Sequence, residues 1–161
     1  MQIPFILSTV FLLVQMTDAK SIPEKFFGRF VLEKSENFDE FLAAKVNWFL
    51  RKIIQMSSIT KVISKGEKPN TYNFETLSSK KNAIYHGFEL GKTFEGEGMD
   101  DKKHQITFNV QSDVLTERHI RSDDPADKGE IYFYTIENDK LVLKMENNNI
   151  TCRRWFKREQ K

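Results

Sequence analysis

A single cysteine, Cys152, stands in this chain of 161 residues, so no disulfide can close within it and the fold must rest on its apolar core. One thiol also excludes a thiolate metal cluster. The three histidines, His86, His104 and His119, have no second ligand type beside them at metal spacing, so neither a metal nor another cofactor is expected. GxSxG, HExxH and glycine-rich phosphate loops are missing, as is any internal repeat, and each absence counts against an enzyme. Charge of one sign is scarce as well. The 25 Lys and Arg are interleaved with 23 Asp and Glu and form no dense basic block, which argues against nucleic acid as a partner.

Long apolar runs are absent except at the start, where residues 3–14 read IPFILSTVFLLV. That run is shorter than the roughly 18–20 apolar residues of a membrane span. It is followed by Thr17 and Ala19, small residues three and one positions before Lys20, the pattern of a secretory signal peptide cut after Ala19. No Lys or Arg precedes it. The expected organisation is a cleaved signal peptide over 1–19 and one domain over 20–161, secreted and extracellular. Losing Asp18 leaves 25 bases against 22 acids, a net charge of +3, and 142 residues, enough for one domain and hardly for two.

What is present is aromatic and β-branched residues in short runs. From residue 58 onward SITKVISK, TYNFETL, AIYHGFEL, GKTFE, HQITFNV, VLTERHIR, EIYFYTI, KLVLKME and ITCRRWFK are separated by turn clusters such as GEKPN, SDDPADKG, END and NNN. With FFGRFVLE at 26–33 these make ten strands. Such short connections favour antiparallel neighbours, and closing the sheet into a barrel removes its exposed edges. Alternation assigns faces. Leu141, Leu143 and Met145 share one, expected to face inward, and Tyr132, Tyr134 and Ile136 share another. In the last strand Cys152, Arg154 and Phe156 oppose Arg153, Trp155 and Lys157, and the pattern alone allows either Arg154 or Trp155 inside.

The stretch SENFDEFLAAKVNWFLRK at 35–52 breaks this strand rhythm. Ser35, Asn37, Asp39 and Glu40 are capping and acidic residues that start helices, and Phe38, Phe41 and Leu42 recur at helical spacing. After a break near 45–47, Phe49, Leu50, Ile53 and Ile54 repeat the pattern. A helix-turn-helix over about 37–56 is small enough to cover one barrel opening. Lys45, Arg51 and Lys52 are too few for it to neutralise a DNA backbone.

FFGRFVLEKSENFDEFL, RKIIQM, FELGKTFE, MDDKK, ENDKLVLK and ITCRRWFKR, in that order and spacing, resemble the intracellular lipid-binding protein family of fatty-acid-binding and cellular retinoid-binding proteins over about residues 24–158. With the leader, the chain looks most like the secreted fatty-acid-binding proteins of nematodes. The resemblance implies an all-β, ten-stranded antiparallel up-and-down barrel, calycin-like, with the helix pair as a lid. It also implies a monomeric carrier that holds a long-chain fatty acid, or a retinoid, without covalent attachment. In the family an arginine in the last strand, two residues before a tyrosine, binds the ligand carboxylate. Here these positions hold Arg154 and Phe156, and the position of a second polar partner holds Tyr134. The head group then rests on Arg154 with Tyr134 as a neutral donor, or on another group such as Arg118 or His119, and Phe156, Cys152, Tyr132 and Met145 are expected to line the cavity. Lys80 and Lys81 fall at the portal turn, where with Lys45, Arg51 and Lys52 they could touch an anionic membrane transiently. Asn149 in NIT is a glycosylation sequon. A lipocalin is the alternative, faintly echoed by Gly28, Arg29 and Phe30, but lipocalins place their helix after the strands and usually carry disulfides. A barrel enzyme would need a convergent acid, base or nucleophile set, and the sequence shows none.

Overall fold

A computed structural model describes residues 21–160. The leader over 1–19 lies outside the described residues. A 3₁₀ turn at Glu24–Phe26 leads into β1 (Gly28–Glu36), then α1 (Phe38–Ala43) and α2 (Trp48–Met56). The strands β2 (Ile59–Lys65), β3 (Tyr72–Ser78), β4 (Ala83–Phe88), β5 (Phe94–Glu97) and β6 (Lys103–Gln111) come next. Then follow β7 (Val114–Arg121), β8 (Glu130–Glu137), β9 (Lys140–Asn147) and β10 (Ile150–Arg158). Each expected strand is found. All pairings are antiparallel, in the order β4-β3-β2-β1-β10-β9-β8-β7-β6-β5, so the first strand pairs with the last, Phe30 opposite Arg158 and Glu36 opposite Arg153.

Turn chemistry sets the hairpins. Ser112–Asp113, Asn138–Asp139 and Asn148–Asn149 all take positive φ at both residues, the two-residue turn whose twist matches that of the flanking strands. The sheet does not zip shut between β4 and β5, and side chains bridge that gap instead. Phe88 stacks on Phe94 with ring centroids 5.8 Å apart, the Tyr85 hydroxyl donates to the Glu97 carbonyl at 2.9 Å, and Lys81 reaches Glu97 at 2.7 Å and also pairs with Asp101. A Cβ at Gly96 would lie 2.9 Å from both the Tyr85 ring and Ile106, so glycine there gives the bridging tyrosine its room.

The helix pair lies where expected, but its start differs. Ser35 belongs to β1. Asn37 precedes α1 in the left-handed region and makes no side-chain cap; its amide donates to the Thr151 carbonyl at 3.1 Å instead. α2 is capped in the ordinary way, the Asn47 side chain accepting from the Leu50 amide at 2.9 Å. A six-residue helix is not stable by itself. α1 is held by burying Phe41 and Leu42, worth about 1.5–3 kcal/mol each, against the barrel.

Candidate functional site

Inside the barrel, alternation carries charge as well as apolar bulk. β2 turns Ile59, Lys61 and Ile63 inward, β3 turns Tyr72, Phe74 and Thr76, and β7 turns Leu115, Glu117 and His119. From β8 comes Tyr134, and from β10 come Cys152, Arg154 and Phe156. Lys61, Glu117, His119 and Arg154 are each less than a tenth exposed. Buried charges are costly unless paired, so their partners define the site.

They form one connected chain. Lys61 Nζ donates to Thr76 Oγ1 at 2.8 Å and to the Tyr134 hydroxyl at 3.3 Å, and Tyr134 donates to Glu117 Oε2 at 2.7 Å. Glu117 Oε1 lies 2.6 Å from His119 Nε2, His119 Nδ1 lies 3.2 Å from His104 Nδ1, and His104 Nε2 lies 2.8 Å from Asp100. A carboxylate only accepts, so both Nε2 atoms donate, and the Nδ1–Nδ1 contact is a hydrogen bond when the two rings share one extra proton.

The electrostatics follow from the pairing. Burial alone would raise the Glu117 carboxyl, but the hydrogen bond and charge of His119, then Lys61 and Tyr134, hold it below its ordinary range. Burial pushes the Lys61 ammonium down to about 8 against the upward pull of Glu117, and Arg154 adds to the lowering. Burial and then Glu117 keep the Tyr134 phenol well above its ordinary value, so it stays a donor. Burial likewise lifts the Cys152 thiol to about 11. Counting the buried Glu117 against the buried Lys61 and Arg154 leaves one positive charge.

Arg154 stands apart from this chain. Its Nε donates to Ser35 Oγ at 2.9 Å, and its guanidinium lies 3.7 Å above the Phe38 ring of α1. Among the described residues that is its only hydrogen bond, so both Nη atoms, the fork that matches a carboxylate, keep their donors. Burial lowers the group to about 10, which leaves it protonated at neutral pH. Trp155 points outward beneath Lys34, whose Nζ sits 4.5 Å from the ring centroid.

Other expected positions sort as follows. Phe156 and Cys152 are fully buried and Met145 is buried. Tyr132 is half-buried and donates to Glu130 Oε2 at 2.6 Å, and Glu130 in turn pairs with Lys45, tying the lid to β8. Arg118 is exposed on the outer face of β7, because it alternates with Glu117 and His119; it does not substitute for Arg154. Most of the cations expected around the portal are ion-paired. Lys81 is bound to Glu97 and Asp101, Lys45 to Glu130, and Arg51 to Asp39 at 3.1 Å. Among the described residues only Lys52 and Lys80 of that set lack an ion pair. Asn149 is exposed at the tip of the β9–β10 turn. The residues that sequence reasoning missed are Lys61, Thr76 and Glu117.

Among the described residues no group of three or more His, Cys, Asp or Glu side chains is placed to hold a metal, and no helix is long and apolar enough to cross a membrane. A ten-stranded barrel with one unzipped seam, a two-helix lid and buried charges inside defines a calycin-like binding barrel. No protein-family model matches the chain. It is 59% identical over 152 residues to fatty acid-binding protein homolog 3 of Caenorhabditis elegans, covering 94% of this chain and 92% of that protein. It is 32% identical over 141 residues to rat retinol-binding protein 1, covering 85% and 98% respectively. The solved structure of As-p18, an extracellular fatty acid binding protein, superposes with a TM-score of 0.84 at 38% identity, covering 87% of this chain and all of that one. The chain belongs to the fatty-acid-binding protein family, and within it is a carrier-type protein, not an enzyme.

Proposed function

We propose that the protein is a secreted, monomeric carrier that takes up a long-chain fatty acid inside its barrel and holds the carboxylate on Arg154, with Lys61 adding positive charge to the polar interior and Tyr134, its proton given to Glu117, a part of that network and not a donor to the ligand. The observation that carries this reading is the free fork of a buried, protonated Arg154 in an interior with one positive charge left over. Names of the relatives support the lipid class. Affinity comes mainly from the tail: some fifteen methylenes at ~0.8 kcal/mol each give about 12 kcal/mol gross, less the cost of ordering ligand and protein. Arg154 selects the head group. Arg154→Gln is expected to weaken hexadecanoate by about 1.5–3 kcal/mol, roughly ten- to hundredfold, and hexadecanol far less. Paired titrations check this, and equal losses for both ligands remove Arg154 from the carboxylate. Mass spectrometry of lipids extracted from the native protein distinguishes fatty acid from retinoid.

Secretion rests on the apolar run at 3–14 and on the extracellular As-p18. It predicts that intact native protein begins at Lys20, and it exposes the Asn149 sequon, on its tight turn, to glycosylation, which enzymatic deglycosylation reads as a loss of mass. A chain that still begins at Met1 overturns secretion, and an unchanged mass means that Asn149 is bare.

A further inference from the structure

A lysine inside an apolar barrel does more than supply charge. Lys61 Nζ faces two hydroxyl acceptors, Thr76 Oγ1 at 2.8 Å and the Tyr134 hydroxyl at 3.3 Å, whose own proton is committed to Glu117. A neutral amine has two hydrogens and one lone pair. Both hydrogens are therefore matched, and the lone pair is left without a donor. The walls beside it are aromatic, the Phe74 and Tyr134 rings lying 5.4 and 5.6 Å from Nζ. The Glu117 carboxylate, one hydroxyl away, supplies a fixed counter-charge.

We propose that Lys61 is a covalent anchor for long-chain aliphatic aldehydes, which the barrel retains as an imine. The lone pair of Nζ attacks the aldehyde carbon, and one of the two amine protons passes to the carbonyl oxygen to give the carbinolamine. The carbinolamine then expels that oxygen as water together with the second amine proton, and a C=N bond replaces C=O. No electrons are gained or lost, and one water leaves for each imine formed. A buried, aromatic surrounding favours this dehydration, and Glu117 stabilises the protonated imine as it now stabilises the ammonium. With Lys61 lowered to about 8, roughly a quarter of its amine is neutral at pH 7.5, against about a thousandth for an ordinary exposed lysine.

The proposal rests on the reading that the interior accepts a long apolar tail, and its test keeps the two apart. Full-length mature protein is mixed with hexadecanal at pH 7.5, reduced with borohydride and mapped by peptide mass spectrometry, while hexadecanoate binding is titrated in parallel. The expected result is one added hexadecyl group at Lys61, about a hundredfold above any exposed lysine, suppressed by prior loading with hexadecanoate and lost in Lys61→Arg. Suppression needs only the wild-type chain, so a misfolded variant does not spoil the test. If hexadecanoate binds and Lys61 stays unlabelled, the anchor is overturned and the carrier reading stands. If Lys61 is labelled but hexadecanoate does not bind, the anchor stands and the carboxylate reading falls.

Discussion

Glu117→Leu is expected to destabilise the fold by about 3–5 kcal/mol at neutral pH, the cost of stripping one partner from a buried charged network. The carboxylate accepts from Tyr134 and His119 at 2.7 and 2.6 Å and faces the Lys61 charge across the Tyr134 hydroxyl. Leucine leaves the ammonium of Lys61 buried without a counter-charge and the two hydrogen-bond donors without an acceptor. An apolar pair of similar volume is a different matter, because it removes the desolvation cost along with the attraction. The double variant Lys61→Met/Glu117→Leu should therefore recover much of the stability that the single change loses. Urea unfolding of wild type, both singles and the double closes the cycle. If the double loses the sum of the two singles, Lys61 and Glu117 are not energetically coupled.

Much of the architecture was legible because each strand carries its own alternation and each tight hairpin its own turn residues. SITKVISK, VLTERHIR and ITCRRWFK lie where their runs placed them, and Asn148–Asn149 turns as an asparagine pair can. Boundaries shifted where a local signal met a tertiary one. GKTFE reads as a strand from residue 91, yet Gly91 takes φ +77° and bonds through its amide to the Phe108 carbonyl at 2.8 Å, so β5 begins only at Phe94. Ser35 reads as a helix cap, yet its hydroxyl is taken by Arg154, 119 residues away, and it stays in the strand.

The site was only half legible, for a physical reason. Alternation tells which residues share a face, and Ile59-Lys61-Ile63 and Leu115-Glu117-His119 both place a charge in an apolar row, a signal that was there to be read. It does not tell which strands meet across a barrel interior. Tyr134 lies 73 residues from Lys61 and 17 from Glu117, and only barrel closure makes the three one network. Arg154 against Trp155 is undecidable within β10 itself. The choice falls to Ser35 and Phe38 on one side and Lys34 on the other, all from the far end of the chain.

A buried lysine also leaves a signature in the pH dependence of stability, and its sign is fixed. In the native state Lys61 is lowered to about 8 by burial, whereas in the unfolded chain it returns to about 10.4. Between these values the unfolded state binds more protons than the native one, so stability rises with pH. Below about pH 8 the group is charged in both states and the full cost of burying an ammonium is felt; above about 10.4 it is neutral in both and that cost is gone. The ceiling of the effect is about 3 kcal/mol. Other lysines and tyrosines titrate over the same range, so the quantity to follow is the difference in unfolding free energy between wild type and Lys61→Met from pH 7 to 10.5, in which their contributions cancel. Wild type is expected to gain on the variant steadily as the pH passes 8, approaching that ceiling near 10.5. A difference that stays flat would mean that Lys61 titrates as an exposed lysine does. Lys61 would then stay an ammonium throughout the neutral range, and the neutral amine that imine formation requires would be scarce.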